Sequence, residues 1–103
     1  MTTVATPVMR EFADGWENAL PSAVLSGIIG DPAHQAEGGY HISREDQPFA
    51  NDYSVQLAED REGPSNAAAA VDMNHSGAEM ALVTRRLLTS AQDTNDPRLN
   101  YCR

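Results

Sequence analysis

Three histidines and several carboxylates fall between residues 31 and 75 of this sequence. They are His34, His41 and His75, with Asp31 and Asp72 among the acids. Imidazole and carboxylate groups are typical ligands of first-row metals, and a catalytic zinc ion usually takes three protein ligands and leaves a fourth position for water. Histidines are also common on surfaces and in ordinary hydrogen bonds, so these residue types alone leave metal binding open.

The residues around His41 favour a loop that aims its imidazole. Gly38 and Gly39 stand shortly before it, and glycine adopts backbone conformations that other residues resist. Loops are also where binding and catalytic residues concentrate. The sequence therefore predicts that His41 projects from a loop into a site.

Asp72 is the only charged residue in the segment 67–73, which is predicted to form a short buried strand. Burying a carboxylate costs free energy unless it is paired or bound to a cation. Asp72 is therefore a candidate metal ligand, although capping the next turn or pairing with Arg85 or Arg86 would satisfy it equally well.

Two amphipathic helices are predicted on either side of these residues. Thr6 and Pro7 suit the start of one helix, and Ser76 and Glu79 have the spacing of a capping box that starts another. Each helix is predicted to bury one apolar face, formed by Met9, Phe12, Ala13, Trp16 and Leu20 in the first and by Met80, Val83, Leu87, Leu88 and Ala91 in the second.

The region between the helices is rich in proline and glycine from residue 31 to about 66. Its only strand-like pattern is the alternation over 53–57, which predicts a short half-buried strand. Structureless segments of this length in a domain are usually functional or disordered. A chain of 103 residues accommodates one domain at most, and we expect a single domain over 1–103.

Composition limits the core and excludes some partners. Only 18 of 103 residues are Leu, Ile, Val or Phe, which predicts a thin core. The formal charge of -8 disfavours nucleic acid and anionic membranes as partners. Cys102 is the single cysteine, so no intrachain disulfide is expected. Since neither a signal peptide nor an apolar run of membrane-spanning length is present, we expect a cytoplasmic protein as synthesised.

Four runs of this sequence resemble small zinc-dependent D-Ala-D-Ala carboxypeptidases and endolysin-type peptidases, especially those of actinobacteria and their phages. The most specific run is Gly30–Pro48, and the others are Ala67–Met73, Thr84–Leu88 and Asp96–Tyr101. The resemblance extends over residues 8–101. It implies an α+β fold of the Hedgehog and D-Ala-D-Ala carboxypeptidase type, with two or three helices packed on a small antiparallel sheet and truncated at the C-terminus.

By motif position, the resemblance implies that His41 and Asp72 are the first two ligands of a Zn2+ cofactor. A further ligand is sought in His34 or His75, although the family's histidine after the aspartate is not usually a ligand. Two residues of the most specific run are taken as substrate-binding candidates, Ser43 and Asp46.

Two departures from the family pattern bear on activity. Glu37 or Gly38 stands where many relatives carry an arginine that holds the substrate's carboxylate. Nothing after Asp72 resembles the Trp-His-x-His segment that supplies the third zinc ligand and the acidic general base. The catalytic base is therefore expected in a C-terminal segment that this sequence lacks.

Two functions are open at this point. In the first, the chain is part of a metallopeptidase that hydrolyses peptidoglycan stem peptides with zinc-activated water, inactive until a complementing polypeptide or a C-terminal segment completes the site. In the second, it is a non-catalytic structural or interaction module of the same fold, which engages a partner or a second copy of itself. An exposed apolar patch would mark the second function. A phage origin would place the protein in the virion or at the cell wall, and a small acidic regulatory protein is a further alternative.

Overall fold

Three α-helices and a two-stranded antiparallel sheet form the regular structure of this small α+β chain, which a computed structural model describes over residues 2–97. The elements are α1 (Pro7–Ala19), β1 (Val24–Gly27), α2 (Pro32–Glu37), β2 (Asp72–Asn74) and α3 (Gly77–Gln92). Three short 3-10 helices lie between α2 and β2, at Arg44–Asp46, Tyr53–Val55 and Glu59–Arg61. Cys102 and most of the run Asp96–Tyr101 lie outside the described residues.

Both long helices begin where the sequence predicts. The Thr6 hydroxyl accepts a hydrogen bond from the Met9 amide at 3.3 Å, and the Ser76 hydroxyl accepts one from the Glu79 amide at 3.3 Å. The capping box is only half formed, because the Glu79 carboxylate accepts the Ser22 amide at 3.0 Å instead of the Ser76 amide. The Ser76 amide donates to the Ser22 hydroxyl at 2.9 Å. The start of α3 is thereby tied to the segment that follows α1.

The sheet is shorter than predicted. β1 and β2 pair through Val24 with Asn74, Leu25 with Met73 and Gly27 with Asp72, and the pairing is irregular between Leu25 and Gly27. The strand predicted over 67–73 is therefore wrong for most of its length.

The strand predicted over 53–57 is also wrong. Tyr53–Val55 forms a 3-10 helix, because the Asp52 carboxylate accepts the Ser54 amide at 2.9 Å and closes a tight turn. A side chain that bonds the backbone two residues on thus prevails over the alternating pattern.

The thin core predicted from composition is confirmed. Its buried apolar residues are Ala13, Ala23, Ile28, Ile42, Ala68 and Val83. The apolar faces predicted for the two long helices are core only in part, because α1 and α3 border an open groove instead of packing tightly together. Phe12 on α1 is 54% exposed and Leu88 on α3 is 56% exposed.

Within residues 2–97, no helix combines the length and the apolar character needed to cross a bilayer.

Candidate metal centre

A glycine corner sets the direction of the loop that carries His41. Gly38 and Gly39 have φ angles of 87° and 97°, in the region that side-chain-bearing residues rarely adopt. A Cβ atom at Gly38 would collide with the Asp52 carboxylate, and one at Gly39 would lie 2.7 Å from the Tyr53 hydroxyl. Only glycine fits these two positions, as the prediction of an aimed loop requires.

Hydrogen bonds with the side chains of Asp52 and Gln47 hold this corner in place. The Asp52 carboxylate accepts the Gly39 amide at 3.2 Å and the Ser54 hydroxyl at 2.6 Å. The Gln47 amide group donates to the carbonyls of Gly39 and Ile42 at 2.8 and 3.0 Å. Burial raises the pKa of Asp52, but the donors from Ser54 and Gly39 outweigh it, so the net pKa lies below the ordinary value. The Asp52 carboxylate is therefore charged at neutral pH and accepts these hydrogen bonds in that form.

The imidazole of His41 is anchored on one side by the main chain. Its Nδ1 lies 2.7 Å from the Ile28 carbonyl oxygen, just after β1. Because a carbonyl oxygen can only accept, Nδ1 carries the proton and donates. This pairing fixes the ring orientation and leaves Nε2 as the atom that faces the site, as second-shell contacts do for metal-binding histidines.

The atom that Nε2 faces is a carboxylate oxygen of Asp72. Asp72 begins β2 beside Gly27, and its Oδ2 lies 3.2 Å from His41 Nε2. With Nδ1 already donating, a neutral imidazole presents only a lone pair to this carboxylate. Both atoms can therefore act as ligands of the same cation. The structure brings Asp72 to His41, the residue that the family resemblance places with it.

The separation of these two atoms suits a shared zinc ion. Zinc bonds to histidine nitrogen and carboxylate oxygen are each about 2.0–2.2 Å, so two ligands at a tetrahedral angle lie roughly 3.4 Å apart. The observed 3.2 Å is close to this value. The Asp72 side chain is 62% exposed, so the expectation of a buried carboxylate is wrong, and an ion from solvent can reach it.

His34 and Asp31 lie at the rim of the same pocket. The pocket has a volume of about 210 Å³ and is lined by Ser26, Gly27, Ile29, Gly30, Asp31, His34, His41 and Asp72. Asp31 Oδ1 lies 2.9 Å from His34 Nδ1, and this hydrogen bond raises the pKa of His34. Bonds from the His34 amide and ring in turn lower the pKa of Asp31. The two imidazole rings meet edge to face, with centroids 5.5 Å apart.

His75 belongs to a different part of the molecule. Its side chain is 2% exposed and lies between Trp16 and Glu79. Trp16 Nε1 donates to His75 Nε2 at 2.9 Å, which leaves His75 Nδ1 to face Glu79 Oε1 at 3.5 Å. Burial raises the pKa of Glu79, but hydrogen bonds from Ser22 and His75 outweigh this effect, so the net pKa lies below its ordinary value. Both nitrogens of His75 thus have partners, Trp16 on α1 and Glu79 on α3.

Ser43 and Asp46, the candidates for substrate binding, hold the N-terminal segment. Ser43 is fully buried, and its amide donates to the Thr3 hydroxyl at 3.0 Å. The Asp46 carboxylate accepts the hydroxyls of Thr3 and Ser43 at 2.6 and 3.2 Å, and these bonds, with Thr3 the strongest, lower its pKa. Neither residue lines the His41 pocket, so their observed role is to fasten the chain's start to the loop.

The ligand set is incomplete in the part of the chain that the structure describes. No group of three or more His, Cys, Asp or Glu side chains within residues 2–97 is arranged to hold a metal ion. Sequence reasoning missed the Ile28 carbonyl, which accepts the hydrogen bond from His41 Nδ1. A main-chain group leaves no mark on residue identity, so the sequence carries no signal for it.

Comparison with protein-family models, with curated proteins and with solved structures finds no match to this chain.

Proposed function

We propose that this chain is a zinc-peptidase-like domain in which His41 and Asp72 supply two ligands of a zinc ion. Its substrate class is the peptidoglycan stem peptide, and its fold is of the Hedgehog and D-Ala-D-Ala carboxypeptidase type. The observation that carries the proposal is the approach of His41 Nε2 to Asp72 Oδ2, at 3.2 Å, in an open pocket. The resemblance of Gly30–Pro48 to such peptidases supports the substrate class.

The division of roles follows from the contacts. When bound, zinc supplies an acidified water and polarises a carbonyl group. The Ile28 carbonyl holds the His41 ring in the tautomer that presents Nε2, and the glycine corner prevents the loop from turning away. No general base is assigned among these residues. We therefore expect weak zinc binding by these residues alone, and peptide hydrolysis only when a complementing polypeptide or a C-terminal segment supplies a further ligand and the base.

Zinc titration calorimetry on the purified chain tests the metal site. His41→Ala and Asp72→Asn should each lower the zinc affinity by at least about tenfold, because each removes a direct ligand of an already small set. Asp14→Asn, which makes the same charge change on an exposed face of α1, should leave the affinity unchanged. Zinc binding that is unaffected by both site variants would refute the site.

His34 provides a separate test within the same pocket. If its imidazole turns away from Asp31 to complete the zinc site, His34→Gln will weaken zinc binding as strongly as His41→Ala. We expect a loss of less than about threefold, because the 2.9 Å bond to Asp31 holds the ring at the rim.

Substrate class is tested with a stem peptide ending in D-Ala-D-Ala. Cleavage should be undetectable with the chain alone and should appear with zinc and a polypeptide that carries the missing ligands. His41→Ala must abolish the activity of that mixture. If cleavage survives in the His41→Ala mixture, the activity belongs to the added polypeptide and the proposal fails.

The second candidate function is a non-catalytic interaction module. The exposed apolar groove between α1 and α3 favours it, as does the incomplete ligand set within residues 2–97. A chain that stays folded and binds no zinc at about millimolar metal, where even weak sites fill, would select this function over the first.

A further inference from the structure

A hydrogen bond between two aromatic side chains joins α1 to the residue that lies between β2 and α3. Trp16 Nε1 donates to His75 Nε2 at 2.9 Å, and the two ring centroids are 5.9 Å apart. His75 follows the last residue of β2 and precedes Ser76, the cap of α3. Neither Trp16 nor His75 lines the His41 pocket. An inference from this bond is therefore independent of the proposed metal site.

This hydrogen bond defines the protonation state of His75. An indole nitrogen carries a hydrogen and can only donate. His75 Nε2 therefore accepts through its lone pair, and the ring is neutral with its single hydrogen on Nδ1. That nitrogen faces Glu79 Oε1 at 3.5 Å. Because a proton on Nε2 would place two donors against each other, the imidazolium form and the bond from Trp16 exclude each other.

The surroundings of His75 act on the imidazolium form in opposite directions. Its side chain is 2% exposed and lies at the N-terminal end of α3, and both burial and the helix dipole disfavour a positive charge there. The Glu79 carboxylate favours it. This carboxylate is held beside the ring by the Ser22 amide, which donates to it at 3.0 Å. A charged His75 therefore has a partner already in place.

The other charged side chains close to this bond have different positions or partners. Glu17, next to Trp16 on α1, accepts the Leu25 amide of β1 at 2.7 Å. Arg86 on α3 lines the groove that Trp16 also lines. Within residues 2–97, the carboxylate that pairs with His75 is that of Glu79.

We propose that His75 is a pH-dependent switch that exchanges Trp16 for Glu79 when it takes up a proton. At neutral pH the unprotonated Nε2 binds the Trp16 indole. On acidification Nε2 takes a proton from solvent, the indole N–H is released, and the Glu79 carboxylate stabilises the imidazolium through Nδ1. Histidine is the side chain that ordinarily changes charge between about pH 5 and pH 8.

The exchange changes the groove between α1 and α3 without separating the helices. Trp16 lines this groove, which has a volume of about 550 Å³, together with residues that include Leu20 and Val83. The Ser76 amide still donates to the Ser22 hydroxyl, at 2.9 Å, and this bond contains no group that titrates. The start of α3 therefore stays joined to the segment after α1 while the Trp16 side chain becomes free to turn.

Nuclear magnetic resonance of the indole N–H tests the switch directly. Trp16 is the only tryptophan of the chain, so one indole resonance reports the bond. Between about pH 8 and about pH 5, this resonance should move from the position of an indole bonded to imidazole to that of an indole bonded to water. The 15N shifts of His75 should show a neutral ring protonated on Nδ1 at the upper end and a doubly protonated ring at the lower end. The far-UV circular dichroism spectrum should stay constant over the same range.

Three variants assign the change to the proposed groups. In His75→Gln an amide oxygen can accept the indole N–H at every pH, so the indole resonance should no longer depend on pH. His34→Gln makes the same substitution at the rim of the His41 pocket and should leave the pH dependence intact. Glu79→Gln removes the charge that favours the imidazolium, so the change should move to lower pH.

Four results would overturn the proposal. The first is an indole resonance that stays constant from about pH 8 to about pH 5, and the second is one that changes equally in His75→Gln. The third is a circular dichroism signal that is lost in step with the indole change, because the chain would then be unfolding. The fourth is a change that Glu79→Gln leaves at the same pH, since the carboxylate would then not be the second partner of His75.

Discussion

Replacement of Gly38 by alanine tests whether the glycine corner controls the fold around His41. Gly38 has φ 87° and ψ -156°, a region that is essentially limited to glycine, so a side chain there costs about 1–3 kcal/mol in backbone strain. The new Cβ also meets the Asp52 carboxylate and lies 2.8 Å from Gln47 Oε1. That carboxylate is held by Ser54 and Gly39 and cannot move freely, so overpacking adds about 1–3 kcal/mol.

The expected total loss in the free energy of unfolding is therefore about 2–6 kcal/mol. This is a large part of the roughly 5–15 kcal/mol that stabilises a typical domain. Urea denaturation followed by far-UV circular dichroism measures it. Loss of zinc affinity should accompany the loss of stability, because His41 follows the corner directly.

Two other glycines provide matched controls. Gly63 also has a positive φ, of 74°, but an added Cβ would meet no atom within 4 Å, so Gly63→Ala should cost only about 1–2 kcal/mol. Gly15 lies in the interior of α1 with open space around it, so Gly15→Ala should stabilise by about 0.5–1 kcal/mol. If Gly38→Ala costs no more than Gly63→Ala, the collision with Asp52 has no energetic weight and the reasoning is wrong.

Two further predictions concern the buried polar network. The folded chain lowers the pKa of Asp52 below its ordinary value of 3.8, so this group's stabilisation is complete above that value and is lost as pH falls through the lower folded pKa. The urea concentration at the unfolding midpoint, measured between pH 7 and pH 3, should therefore decrease once the pH is below about 4. Asp52→Asn should flatten part of that decline, and an identical decline in the variant would contradict the assignment. Trp16→Phe removes the donor to the buried His75 Nε2 and should cost about 1–3 kcal/mol by urea denaturation. Phe49→Leu, a change at an exposed site, is its control, and equal losses would contradict the role of the hydrogen bond.

The helix starts were predictable because their signals are local. Thr6 and Ser76 act on amides within three residues, so the sequence contains the whole interaction. The apolar periodicity of the helices was also real, but periodicity identifies a face without saying what covers it. Phe12 and Leu88 were expected in the core for this reason and are more than half exposed.

The strands were less predictable because their pairing is set by distant residues. The alternation over 53–57 suggested a strand, but Asp52 closes a turn there. The alanines before Asp72 bring too little apolar area to fix a strand, and β2 begins only where Gly27 is opposite. The approach of His41 to Asp72 was expected from the family resemblance and is present, whereas zinc binding by the pair stays a prediction.

The contacts of β1 have a mechanical consequence for the His41 pocket. The end of this strand contacts both members of the pair, since Gly27 is opposite Asp72 and the carbonyl of the next residue, Ile28, accepts a hydrogen bond from His41 Nδ1. A displacement of β1 therefore carries both side chains in the same direction. The separation of 3.2 Å between the two side chains therefore depends on the position of this one strand end.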